Sequence, residues 1–264
     1  MATKHSAREN FGLRTSAQVK RISLITGKSV AYLVKLGSGN YGEVYLARIH
    51  WEDGTSRRVA VKTFKPNGWI THTRHSAKPG PMTDSEAHVY QQTIDRLRKA
   101  GVRMPKMGMY KVPVSDKSLM GARGLIAEKW VLVSELYGST GKKSKLKGDL
   151  SYFPKEITPE VRLDLADQLT RIANAGFLIS NDCVKFFKKQ LDRKAIIADI
   201  DAQFGWLNKY GHHPTNEVLA RTLVDVLHRL SKTNEETLKL FDVAISKARP
   251  DLKEELEKLL SKTF

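Results

Sequence analysis

One cysteine, Cys183, is all the chain has. No disulfide can form within it, and the fold is expected to persist in a reducing compartment. Long apolar runs are missing as well: no stretch approaches the roughly 18 to 20 uninterrupted apolar residues that span a bilayer. Residues 1–14 carry basic side chains with no apolar core behind them, which excludes a secretory signal peptide. The expected location is the cytoplasm, or a host cell reached through a specialised export machine that reads another kind of address. Acidic residues are scarce, with 28 Asp and Glu against 45 Lys and Arg, so 264 residues carry a formal net charge of +17. Aromatic residues make up 8% of the chain and do not interleave with its basic clusters, Lys142, Lys143, Lys145 and Lys147, then Lys185, Lys188, Lys189, Arg193 and Lys194. Stacked bases would need that interleaving. Nucleic acid is therefore not the expected partner; an acidic protein or an anionic small molecule is.

What is present divides into two halves. Residues 1–28 are polar and basic and read as an irregular extension. Residues 30–36 form a β-rich run, Gly37-Ser38-Gly39-Asn40-Tyr41-Gly42 a turn, and residues 43–49 alternate as a half-buried strand does. Asp53-Gly54 marks a second turn and residues 58–64 a third strand, so an antiparallel meander is expected. Residues 65–83 read as a long loop. A helix is expected from a cap at Asp84 or Ser85 to about residue 100, with Ala87, Tyr90, Ile94 and Leu97 on one face. Strands at 108–114 and 125–136 follow, then a Gly, Ser and Lys loop at 138–150. Beyond it the text turns helical at 159–175, with Gly176 as a stop, and again at 216–231, 235–248 and 251–262. Residues 177–182 and 194–201 read as short strands or turns. The fold class is α+β in two lobes, 29–137 and 138–264.

Two features carry chemistry. Gly37, Gly39 and Gly42 lie between strand and strand, not between strand and helix, so a dinucleotide fold does not fit. Glycines in a hairpin let backbone N–H groups approach a phosphate unobstructed, and by themselves they also suit an ordinary flexible hairpin. Lys62 stands in the apolar run Val59-Ala60-Val61-Lys62. A buried ammonium is costly unless a phosphate or carboxylate meets it. Glu86 is a candidate to pair with it, and it equally suits a capping box at the start of its helix.

With these residues together, residues 30–201 resemble the protein kinase superfamily. Leu36-Gly37-Ser38-Gly39-Asn40-Tyr41-Gly42-Glu43-Val44 resembles the glycine-rich loop, Val59-Ala60-Val61-Lys62 the strand-three lysine motif, and Glu86 takes the place of the helix glutamate. Residues 131–138 resemble the strand leading to the adenine hinge, with Ser134 as gatekeeper. The resemblance implies a bilobal fold, an antiparallel N-lobe sheet with one helix and a reduced helical C-lobe. It implies ATP, with Mg²⁺ as cofactor, bound by Leu36, Gly37, Gly39, Gly42, Val44, Ala60, Lys62, Glu86, Glu135 and Tyr137. The implied acceptor is a Ser or Thr hydroxyl on an acidic protein, and the implied state a monomer. Ser180-Asn181-Asp182 falls where His-Arg-Asp would stand, making Asp182 the catalytic aspartate, with Lys185 steadying the γ-phosphate. Asp199-Ile200-Asp201 stands in for Asp-Phe-Gly, with Asp199 as a metal ligand. Phe187 occupies the place of a metal-binding asparagine, and Asp201 would supply that contact instead. Only 63 residues follow Asp201, and no Ala-Pro-Glu segment is among them, a truncation similar to that of compact kinases injected by bacterial pathogens. Two rivals remain: a nucleotide-binding module without transfer, and a small-molecule kinase. His212-His213 lacks metal-ligand spacing, and no Ser-His-Asp set is arguable.

Overall fold

The computed structural model describes residues 30–38, 42–50, 54–64, 82–113, 128–136, 157–179, 197 and 214–261. The chain forms two compact units, one of Met1–Asp95 with Pro105–Gly141, the other of Arg96–Met104 with Lys142–Phe264. The described residues make a mixed α+β protein with a five-stranded antiparallel sheet and five helices.

In the first unit, β1 (Val30–Ser38), β2 (Gly42–His50) and β3 (Ser56–Phe64) form the expected meander. Gly54, with φ at 77°, lies in the β2–β3 turn and takes the left-handed conformation that an Asp-Gly turn requires. β4 (Met107–Pro113) and β5 (Glu128–Ser134) complete the sheet in the order β1-β2-β3-β5-β4. Alternation sends the side chains to two faces. One gathers Ala47, Ile49, Val59, Val61, Tyr110, Val131 and Val133, none more than 5% exposed. Each β-branched side chain buried there contributes about 1.5 to 3 kcal/mol, and these residues fix the register, since a one-residue slip would turn them all to the other face.

α1 (Asp84–Lys99) starts one residue earlier than an Asp84 or Ser85 cap would have it. Thr83 is the cap. Its Oγ1 accepts from the Glu86 N–H at 3.2 Å, while Glu86 Oε2 accepts from the Thr83 N–H at 2.7 Å and hydroxyl at 2.9 Å. Unlike Asp84 and Ser85, Thr83 has a glutamate three residues on, which is what a reciprocal capping box needs. The helix closes at Gly101, where φ is 75°, with Val102 N–H donating to Leu97 O at 3.0 Å and Gly101 N–H to Arg98 O at 2.9 Å.

The second unit holds α2 (Pro159–Asn174), α3 (Asn216–Leu230), α4 (Asn234–Lys247) and α5 (Pro250–Leu260). Thr158, Thr215 and Thr233 each cap a helix through the side-chain oxygen. α2 closes at Gly176 with the same pair of bonds as α1, Phe177 N–H to Ile172 O and Gly176 N–H to Ala173 O. Leu165, Leu169 and Ile172 of α2, Leu223 and Leu227 of α3, Leu240 and Phe241 of α4, and Leu252 and Leu256 of α5 are buried. Arg162, on α2, is buried too. Its Nη1 donates to both oxygens of Glu236 on α4, at 2.8 and 2.9 Å, and its Nη2 to Ile157 O. A buried guanidinium is tolerated when its donors are matched in this way. Among the described residues no helix is long and apolar enough to cross a membrane.

Candidate functional site

The register of the sheet places several of the expected nucleotide-binding residues in line. Gly37 stands opposite Val44, Val44 opposite Lys62, Lys62 opposite Leu132, and Leu132 opposite Met109. The adjacent row on this face runs Val34, Leu46, Ala60, Ser134 and Met107. Val44, Ala60, Lys62 and Ser134 therefore share the face opposite the buried valines, because paired residues point the same way and neighbours on a strand alternate. Lys62 is half-buried. Leu36 falls where the β1–β2 register shifts, between Lys35 and Gly37, as the extra residue of a bulge.

α1 is pinned to this face at several points. Trp130 Nε1 donates to Asp84 Oδ1 at 2.8 Å, and Lys111 Nζ reaches the same oxygen at 3.3 Å. The Phe64 and Tyr90 rings meet edge to face, 5.5 Å between centroids. Gln91, which is 1% exposed, accepts from the Met109 N–H at 2.9 Å and donates to Asp95 Oδ1. Trp130 and Leu132 lie two apart on β5, and Leu132 faces Lys62, so the first turn of α1 and Lys62 belong to one side of the sheet. Glu86 sits in that turn, where its Oε2 serves the capping box.

The two glycines described at the hairpin differ in kind. A Cβ on Gly42 would stand 2.1 Å from the Thr63 carbonyl oxygen, so the close approach of β2 to β3 demands glycine there. A Cβ on Gly37 would meet nothing within 4 Å. Gly37 is exposed and structurally undemanding. Beside them Glu43 accepts from Lys35 Nζ and from the Tyr45 hydroxyl. The hydrogen bond to Glu43 holds Tyr45 above the ordinary tyrosine range, with burial adding to it, and Lys35's own bond to Glu43 raises Lys35 against the opposing effect of its desolvation.

At the expected hinge, the Glu135 N–H donates to Lys106 O at 2.8 Å and so is taken up by the sheet. The Ser134 hydroxyl donates to the Glu135 carbonyl at 3.3 Å. A carbonyl oxygen takes two donors, so a base amine would meet Glu135 through its oxygen, not its N–H. Gly39, Tyr137, Asp182, Lys185, Asp199 and Asp201 lie outside the described residues. Just before the two metal-binding candidates, Ile197 is described: it is fully buried, and its N–H donates to Arg103 O at 2.9 Å. Among the described residues no three His, Cys, Asp or Glu side chains gather as a metal set.

Sequence reasoning named Asp84 only as a helix cap, and passed over Gln91 and Arg103, whose main-chain N–H donates to Gln168 Oε1. For Asp84 and Gln91 the signal was weak, since polar residues in a first turn or on a helix flank ordinarily face water. No protein-family model matches the chain, and no curated protein matches it.

Proposed function

We propose that the chain is an ATP- and Mg²⁺-dependent kinase that transfers the γ-phosphoryl group to a Ser or Thr hydroxyl of a protein. The observation that carries this reading is the cross-strand row Gly37, Val44, Lys62, Leu132. It puts a half-buried lysine on the same face as Val44 and Ala60, beside a hairpin whose exposed glycine offers backbone rather than side chain. Adenine would lie against Val44 and Ala60, with the Glu135 carbonyl accepting from its amine. Lys62 would meet the α- and β-phosphates, where a charge-assisted contact contributes about 1.5 to 3 kcal/mol.

In the reaction the acceptor oxygen bonds to the γ-phosphorus as the bond to the β-bridging oxygen breaks. Asp182 takes the hydroxyl proton, Lys185 steadies the γ-phosphate, and ADP leaves with the bridging oxygen. Asp199 and Asp201 would hold magnesium, which would supply neutralisation of the phosphate charge. The rest is positioning.

Ser180-Asn181 where His-Arg would stand, and Phe187 in the place of a metal-binding asparagine, favour a second reading, a module that binds nucleotide without transfer. Incubation with γ-labelled ATP, Mg²⁺ and panels of protein and metabolite acceptors, read by mass spectrometry, separates the readings. Wild type is expected to label protein Ser or Thr, and Asp182→Ala to lose that label while keeping its circular dichroism. Binding without label in wild type moves the assignment to the module. Label on metabolites alone moves it to a small-molecule kinase.

A further inference from the structure

The Lys62 face of the sheet carries two arginines in direct opposition. Arg48 on β2 stands opposite Arg58 on β3, in a register that runs without a shift from Gly42 and Phe64 to His50 and Ser56. Both therefore point the same way as Val44, Leu46, Ala60 and Lys62. Both are exposed, and among the described residues neither has an acidic partner. Opposed residues on one face bring their Cβ atoms to about 5 Å, where like charges destabilise the sheet. Arg57, between them in sequence and exposed as well, is paired with Ile49 and belongs to the other face.

Two guanidinium forks at that spacing select among anions. One carboxylate fills a single fork, and two carboxylates set side by side repel each other as the arginines do. A phosphate monoester brings a charge of about −1.5 to −2 and three acceptor oxygens on one phosphorus, enough for both forks. Arg58 stands four residues from Lys62 along β3, about 13 Å, so the pair marks a second anion position and not an extension of the first.

The neighbouring row points to an occupant larger than a phosphate ion. Val34 on β1 is 54% exposed, more than any other large apolar side chain among the described residues. It stands opposite Leu46, two residues from Arg48, and so shares the face with the arginines. Successive rows of one face lie about 6.7 Å apart, which is also the span of two residues in an extended peptide.

We propose that Arg48 and Arg58 bind the phosphate of a phosphorylated Ser or Thr in an extended segment of a partner protein, with an apolar side chain two residues away resting on Val34. This site lies beyond the kinase reading and does not depend on it.

Fluorescence anisotropy tests it with the full chain and a labelled short peptide, phosphoserine at its centre and Leu two residues to either side. The salt is about 0.1 M, where exposed charges still act over about 10 Å. Wild type is expected to bind this peptide, and its serine counterpart at least about tenfold more weakly. Arg48→Gln and Arg58→Gln are each expected to weaken binding of the phosphopeptide by about tenfold or more, the loss of one charge-assisted contact. Their thermal midpoints should stay or rise, because the opposed like charges are gone. Val34→Ser should weaken binding by a smaller factor. Arg57→Gln removes the same charge from the other face and should bind as wild type does.

An equal loss in Arg57→Gln would mean that the net charge of +17 attracts the peptide without a site, and it overturns the proposal. Binding that neither Arg48→Gln nor Arg58→Gln weakens overturns it too, as does displacement of the peptide by inorganic phosphate as readily as by unlabelled phosphopeptide. Phosphatidylserine vesicles that bind through Arg48 and Arg58, with no binding of the peptide, would assign the pair to a membrane surface instead. None of these outcomes bears on ATP at Lys62, which is titrated separately.

Discussion

Gly42 and the Thr63 carbonyl approach so closely across β2 and β3 that a methyl group on Gly42 would lie 2.1 Å from the oxygen. The neighbour is backbone, which cannot swing aside as a side chain can. Gly42→Ala is therefore expected to destabilise the chain by about 1 to 3 kcal/mol, the ordinary cost of overpacking, measured by urea denaturation. Gly37→Ala is expected to be neutral or to stabilise by up to about 1 kcal/mol, since it removes freedom from the unfolded chain without meeting anything in the folded one. Loss of nucleotide affinity in Gly37→Ala at unchanged stability would then be a property of the phosphate approach alone.

The end of α1 gives a second case. Gly101 sits at φ 75° with Arg171 Nη1 against it. Gly101→Ala should cost about 1 to 2 kcal/mol from the left-handed backbone. The arginine tip can move, so it should add little. A thermal melt that leaves the midpoint unchanged would contradict the assigned end of α1.

Arg162 and Glu236 supply a third. Removing one member strands the other, so Arg162→Met is expected to cost about 3 to 5 kcal/mol. Replacing both, as Arg162→Met with Glu236→Leu, should recover part of that loss. Chemical denaturation of the four proteins checks it, and strict additivity would mean that the pair does not act as one.

Protonation offers a fourth. The Glu160 backbone N–H and then the Thr158 hydroxyl hold Glu160 below its ordinary value, and the Lys239 hydrogen bond does the same for Glu235. Both carboxylates thus contribute stability that is fully present above the unfolded carboxylate range, about pH 4.3, and is lost as pH falls through their lowered folded values. Tyr45 runs the other way. Its raised value gives stability present below about pH 10 and lost as pH rises through the folded value. Glu160→Gln with Glu235→Gln should flatten the acid limb of a stability–pH curve, and Tyr45→Phe the alkaline limb.

These cases also show what the amino-acid text can convey. The meander was legible because Val59, Val61 and the residues of β2 alternate, and the α1 and α2 ends because Gly101 and Gly176 follow the last helical turn. The cap of α1 was not read directly: in Thr83-Asp84-Ser85-Glu86 three adjacent cap-forming residues compete, the apolar periodicity points to Asp84 or Ser85, and only the glutamate's spacing selects Thr83. Insertion of β5 between β3 and β4 was not legible, since pairing between non-consecutive strands leaves no local mark. Neither was Arg162, an arginine that helical periodicity would assign to solvent. Within the candidate site, motif spacing picked out Lys62, Val44 and Ala60, and register then aligned them on one face. Arg103 and Gln168 are visible only once α2 and the α1–β4 connector are seen together.

The central claim is that the Lys62 ammonium meets the phosphates of ATP. Isothermal titration of wild type and Lys62→Ala with ATP and Mg²⁺ tests it most directly. The account predicts binding by wild type and an affinity about ten- to a hundredfold weaker in the variant, the equivalent of one charge-assisted contact, with the thermal midpoint little changed. Equal affinity in the two proteins, or no binding by wild type, would contradict it.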